Sequence, residues 1–209
     1  MQLYGFGESG NAFKVALALR HLGLDWTLQT VDFFNGGTRT PEFLDLNPMG
    51  EVPVLVEGET VLTQSGAILD YLGSKTGRLG GRSAAERREI LRWLFWDNHK
   101  FTGNIATFRF QANFLPEERR PDAAVLDFLA ARIRAATRVL AAHLQGRDWI
   151  VGDGPSIADL SCCGYLFYPE PHGLVRADWP DLDAWLDRIA ALPGFAHPYD
   201  VMPRVFPGA

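Results

Sequence analysis

Apolar and polar positions in the first third of the chain switch between a strand period and a helix period. Gln2–Phe6 is a short apolar run that ends in Gly5-Phe6-Gly7, and it predicts a strand. Residues 12–22 are apolar almost all round, with polar points only at Lys14, Arg20 and His21. They predict a nearly fully buried helix, closed by Gly23. Trp26–Val31 alternates as a strand does. Pro41–Leu46 predicts a short helix ahead of Asn47-Pro48. Val54–Val56 and Val61–Thr63 flank Glu57-Gly58-Glu59, a hairpin signal. Ser65–Leu72 returns to the helical period, with Ile68, Leu69 and Leu72 on one face. A helix joins the first two strands, so they are expected parallel, and the last pair antiparallel. The product is a mixed four-stranded sheet flanked by helices.

The pattern changes after Ser74. Lys75–Ser83 is polar and Gly-rich and reads as a linker, and strand signals fade beyond it. Ala84–Phe101 and Ala123–Leu144 are long helical patterns, interrupted near Leu115-Pro116 and Arg120-Pro121-Asp122. A further helix starts near Ser156 and another covers about Asp181–Leu192. The expected organisation is an α/β domain over 1–76, a linker at about 77–83 and an all-helical domain over 84–209.

Bulk properties narrow the function. The chain has 209 residues, 47% of them hydrophobic, enough for one large core or two small ones. Net charge is −5, and the basic pairs Arg87-Arg88 and Arg119-Arg120 sit beside Glu86, Glu89, Glu117 and Glu118. These are solvated helix faces, so nucleic acid is not an expected partner. No apolar run approaches a membrane span, and Met1–Gly10 lacks the pattern of a secretory signal. Cys162 and Cys163 are adjacent, which suits neither a fold-stapling bridge nor a metal site. The expectation is a cytoplasmic protein without metal.

Three segments carry candidate chemistry. The first strand leads through Ser9-Gly10-Asn11 straight into a helix, where Ser9 or Asn11 caps the first amides. A hydroxyl at a helix N-terminus also suits a thiolate. A free thiol has a pKa of about 8.5, and one unit is about 1.4 kcal/mol. A helix terminus offers about 0.3–2 kcal/mol and a hydrogen bond to a charged group about 1.5–3. Together they lower a thiol pKa by about one to two units. In Asn47–Leu55, Pro53 stands just before a strand. A cis bond there would turn the Val52 backbone outward, but only about 5–6% of X–Pro bonds are cis, so the segment alone leaves the isomer open. In Leu62–Ile68, Gln64 and Ser65 open a helix, and Ser65 reads first as its N-cap, or else as a carboxylate binder.

Taken in order, Ser9–Val15, Pro41–Leu55, Leu62–Leu72 and Gly154–Leu166 resemble the cytosolic glutathione transferase superfamily along nearly the whole chain, nearest to its bacterial and theta-like branch, where serine replaces tyrosine. The resemblance implies a thioredoxin-like N-terminal domain and a helical C-terminal one. It implies that Ser9 activates the glutathione thiol, with Asn11 as a second donor. Val52, ahead of a cis Pro53, would pair with the cysteinyl part, Gln64 and Ser65 would hold the γ-glutamyl end, and Arg39 would meet the glycine carboxylate. Asp97 would either reach the γ-glutamyl amine from the partner subunit of a homodimer or stand as a surface charge. Phe6, Phe34, Phe101, Phe108 and Tyr165 would line the electrophile pocket. His99 is read as a surface histidine before a pocket base, Asp159 with Ser156 as a capping box, and the cysteines as core. Two departures matter. Glu51 stands where relatives often have Lys or Gln, and Gln64 where many have an acid. Glu51 would oppose the glycine carboxylate, pair with Arg39, or turn away.

The implied function is glutathione transfer to a small apolar electrophile, with glutathione as co-substrate. A glutathione-dependent disulfide or peroxide reductase and a non-catalytic interaction protein are the alternatives.

Overall fold

The computed structural model describes residues 1–207, which form two compact units: residues 1–78 with 192–207, and residues 79–191. The sequence pattern had assigned 192–207 to the helical part, whereas in the structure this segment returns to the first unit.

In the first unit, β1 (Gln2–Gly5) leads to α1 (Gly10–Leu22) and then to β2 (Thr27–Thr30), which lies parallel to β1. α2 (Pro41–Leu46) precedes the hairpin of β3 (Val54–Glu57) and β4 (Thr60–Thr63). The sheet order is β2-β1-β3-β4, with β3 antiparallel to both β1 and β4. This is the mixed sheet that the pattern predicts, in the thioredoxin-like arrangement. α3 (Ser65–Thr76) packs beside α1. α1 is buried on almost every side, as its apolar composition requires, and it ends on Gly23 in the left-handed conformation. Across the sheet, Phe43 of α2 packs with Val31 and Val54, and with the half-buried Tyr4, Val52 and Val56.

The second unit is helical: α4 (Ala84–Trp96), α5 (Thr102–Asn113), α6 (Ala123–Leu144), α7 (Ile157–Cys162) and α8 (Pro180–Ala190). Its core contains Trp93, Ile133, Leu140, Leu160, Trp185 and Leu186. The single helix expected over 84–101 is divided by a widened, π-type turn at Asp97–Phe101. Asp97 is fully buried there. One carboxylate oxygen accepts from the Thr102 hydroxyl at 2.6 Å and the Thr102 amide at 3.3 Å, and the other accepts from the Ser161 hydroxyl at 2.6 Å. Ser156 and Asp159 form the expected capping box at the start of α7. Among the described residues no helix is long and apolar enough to cross a membrane.

The chain ends its described part with α9 (Pro198–Val201) and an extended run that packs on the first unit.

Candidate active site

The turn Phe6–Ser9 carries the chain from β1 into α1, closed by the Ser9 amide donating to the Phe6 carbonyl at 3.1 Å. Ser9 has extended backbone angles and is the N-cap: its Oγ accepts from the Ala12 amide at 3.2 Å. The capping expectation thus goes to Ser9 and not to Asn11. Accepting leaves the Ser9 O–H proton as a donor with no partner among the described residues. The group is 6% exposed, at the positive end of a 13-residue helix.

Asn11, in the first turn of α1, accepts a long bond of 3.4 Å from the Ser65 hydroxyl through Oδ1. This contact brings the N-termini of α1 and α3 together. Ser65 does not cap α3, contrary to its local reading. The N-cap is Gln64, at φ 64° and ψ 113°, and no side chain caps the first turn. A non-glycine residue in this region is strained, and such strain concentrates at ligand sites. The uncapped first-turn amides of α3 are open donors.

The loop between α2 and β3 is organised by Asn47, which is 1% exposed. Its amide donates to the Glu51 carbonyl at 2.8 Å, and its Oδ1 accepts from the Met49 amide at 3.1 Å. Gly50 lies at φ 63°, a left-handed conformation that favours glycine, with the Arg39 guanidinium against it. Arg39 itself is exposed on a short 3₁₀ turn, Gly37–Arg39. The Glu51 carboxylate accepts from Gln64 Nε2 at 3.2 Å, and among the described residues no ion pair joins it to Arg39. The Val52–Pro53 bond is cis. Val52 backbone N–H and C=O have no hydrogen-bond partner among the described residues.

Ser9, Asn11, Ser65, Gln64 and Glu51 are therefore brought into one neighbourhood, with Val52 and Arg39 on the loop beside it. Asp97 is not part of it. Buried in the helical unit and held by Thr102 and Ser161, it is a tie between α5 and α7, not a surface charge or a reach toward a partner's ligand. Phe101 is also corrected: at 0% exposure and stacked on Trp96 at 5.4 Å, it is a core side chain. Phe6 and Phe34 share an aromatic cluster with Phe33 and Phe206. Phe108 is half-buried in the helical unit, and Tyr165, 8% exposed, packs on Tyr168. His99 is exposed, and both cysteines are buried thiols.

Sequence reasoning missed Asn47, whose position before a proline in a polar loop is a readable signal for side-chain bonding to its own backbone. It also missed Phe206, for which no local signal exists.

Residues 1–74 match the family "Glutathione S-transferase, N-terminal domain", and residues 105–193 match "Glutathione S-transferase, C-terminal domain". The chain is 35% identical over 206 residues to glutathione S-transferase 3 of Zea mays, covering 93% of this chain and 91% of the relative. It is 30% identical to the disulfide-bond oxidoreductase YfcG of Escherichia coli, over 90% of this chain and 89% of that one. A crystal structure of a glutathione transferase from Burkholderia graminis, with two glutathione molecules bound per subunit, superposes with a TM-score of 0.82 at 30% identity, covering 92% of this chain and 84% of the other. With both domain families matched in order and a relative of this identity along its length, the chain belongs to the glutathione S-transferase family of enzymes.

Proposed function

We propose that this protein binds glutathione in its first unit, ionises the thiol with the Ser9 hydroxyl, and directs it at a small apolar electrophile. The observation that carries the reading is the unspent Ser9 O–H at the N-terminus of α1, joined through Asn11 and Ser65 to a second open helix N-terminus. Glutathione carries a thiol, which is an anion once ionised, and a γ-glutamyl carboxylate, and each anion suits one of these termini. Asn11 is the second donor to sulfur. Val52 offers its unpaired backbone N–H and C=O to the cysteinyl peptide unit. Ser65 and the first amides of α3 take the γ-glutamyl carboxylate, and Arg39 the glycine carboxylate.

Glu51 takes a different part from the family pattern. Its bond to Gln64 carries its charge toward the start of α3, which is the γ-glutamyl end of the site. There it faces an ammonium and supplies the negative charge that Gln64 lacks. Phe6 and Phe34 are the apolar side chains of the first unit assigned to the electrophile. The domain assignment is a glutathione-binding first domain over 1–76, joined by the returning segment 192–207, and a helical domain over 84–191.

Calorimetric titration of glutathione into the folded protein tests the reading. Binding between micromolar and low millimolar is expected. No binding at millimolar ligand would overturn it in favour of an interaction module.

The relative named as a disulfide-bond oxidoreductase favours a second chemistry at the same site. The loop reads Ser9-Gly10-Asn11-Ala12, and both cysteines are buried. Electrons would therefore come from two glutathione thiols, which become glutathione disulfide while the substrate disulfide becomes two thiols. Steady reduction of a model disulfide without transfer to an aryl halide would select this chemistry. We place the protein in the cytoplasm as a homodimer. The exposed apolar pair Leu91 and Phe95, one turn apart on α4, supports self-association, and sedimentation velocity tests it.

A further inference from the structure

Glu8 lies between Gly7 and Ser9 in the turn that ends β1, and its side chain is buried, with the residue 4% exposed. A buried carboxylate is costly unless donors meet it. Donors reach it from almost the other end of the chain. The Val205 amide lies 3.2 and 3.1 Å from the two carboxylate oxygens, the Phe206 amide 3.1 Å from one, and Arg204 Nε 3.6 Å away. Gly7 is held by the same segment in the opposite sense, its amide donating to the Pro203 carbonyl at 2.7 Å. A Cβ on Gly7 would stand 2.7 Å from that oxygen and 2.8 Å from the Met202 carbonyl oxygen, so the two backbones meet where no side chain fits.

Side chains extend the contact. The Phe206 ring packs edge-on against Phe34 at 4.9 Å, Phe34 packs on Phe33 and Phe6, and Phe6 stacks on Phe33 at 5.0 Å. Phe6 is the first residue of the turn that Ser9 closes. Residues 202–206 thus engage all of the residues that lead into Ser9: Phe6 through the ring cluster, Gly7 through its amide, and Glu8 through its carboxylate.

We propose that Met202–Phe206 is a strap that fixes the Phe6–Ser9 turn, and that Glu8 is a positioning residue acting through the Ser9 hydroxyl. The proposal rests on the reading of Ser9 as the donor to the glutathione thiol. A hydrogen bond weakens steeply as its angle departs from linear, so the donor is useful only while its backbone is held. The strap supplies that restraint from outside the turn. Glu8 has a second consequence that separates position from charge. Removing a negative charge from beside a thiolate would, by Coulomb attraction alone, lower the thiol pKa. Loss of the positioned hydroxyl raises it.

The test uses Glu8→Gln, and a chain ending at Met202, each in the Ser9 and the Ser9→Ala backgrounds. Two quantities are read: the pKa of the bound glutathione thiol, from its ultraviolet thiolate absorbance, and kcat with an aryl halide. Glu8→Gln and the shortened chain should raise the bound thiol pKa and lower kcat about tenfold, with glutathione affinity held within about threefold. In the Ser9→Ala background the same changes should have almost no further effect. An unchanged or lowered thiol pKa, or an equal loss of kcat in both backgrounds, overturns the strap while leaving the Ser9 reading intact. A silent Ser9→Ala, or an unmodified chain that binds no glutathione, overturns the Ser9 reading and the strap with it. If Glu8→Gln does not fold, Arg204→Ala and the shortened chain carry the same expectation.

Discussion

A capping serine spends an oxygen lone pair on the backbone and keeps its proton, and this division lets Ser9 serve both the fold and a thiolate. Structure and proposed function therefore make separable demands on it. Ser9→Ala removes a cap worth about 0.5–2 kcal/mol and a donor to a charged sulfur worth about 1.5–3. The expected outcome is a modest loss of stability and a loss of kcat of about tenfold to a hundredfold, read by steady-state kinetics at saturating glutathione. Undiminished turnover would move the role to Asn11, with Asn11→Ala as the next variant. Glu51 gives a prediction whose sign decides its role. Near the γ-glutamyl ammonium its charge attracts, so Glu51→Gln should weaken glutathione binding about threefold to tenfold by calorimetry. Tighter binding in that variant would mean that Glu51 meets the glycine carboxylate instead. The capping role of Ser9 was legible in the sequence because it sits at a strand-to-helix junction that local pattern marks, whereas at the like junction before α3 the cap falls on Gln64 and not on Ser65. The direction of the Glu51 side chain was not, because it depends on Asn47 and Gly50 folding the loop so that Glu51 reaches Gln64.

At the scale of elements, two buried aspartates show what local pattern can and cannot reveal. Asp159 was readable, since Ser156-Ile157-Ala158-Asp159 before an apolar run has capping-box spacing. Its carboxylate accepts from the Ser156 amide and hydroxyl, the Ile150 amide and Trp185 Nε1, all at 2.8–2.9 Å. Burial pushes its pKa up, and these four bonds oppose that shift. Asp159→Ala leaves the donors unpaired in the core and should cost about 3–5 kcal/mol, measured by urea unfolding. A loss below about 1 kcal/mol would contradict this account of α7. Asp97 was not readable, because its pattern continues the α4 helix without a break. Its bond to Ser161, on a helix distant in sequence, and the widened turn that starts at Asp97 leave no mark in the local pattern. The β-hairpin, α2 and both helix-to-strand crossings were legible for the opposite reason: hydrophobic period and turn residues are properties of contiguous sequence.

Over the whole molecule, the division into an α/β part and a helical part follows from the change of period near residue 75, and the structure bears out both fold types. The return of residues 192–207 to the first unit had no such signal, because the bonds between Glu8 and Val205 or Phe206 join positions that share no local pattern. The helical unit carries a pH-dependent element at His172. Burial, with Arg109 nearby and Glu170 opposing, holds its imidazole below the ordinary value of 6.5. The unfolded chain therefore takes up a proton that the folded chain resists, so stability present above about pH 6.5 is lost as pH falls toward the depressed folded value. The melting temperature should drop between about pH 7.5 and 5.5, and His172→Gln should flatten that drop. An unchanged slope in the variant would remove His172 from the account. The central claim concerns a thiol, and the most direct measurement is the pKa of the bound glutathione thiol, from ultraviolet titration of the protein and of Ser9→Ala. The account predicts a value about one to two units below the free thiol's 8.5 or so, and a return toward it in Ser9→Ala. A bound thiol that titrates as the free one does, in a protein shown to bind glutathione, would contradict it.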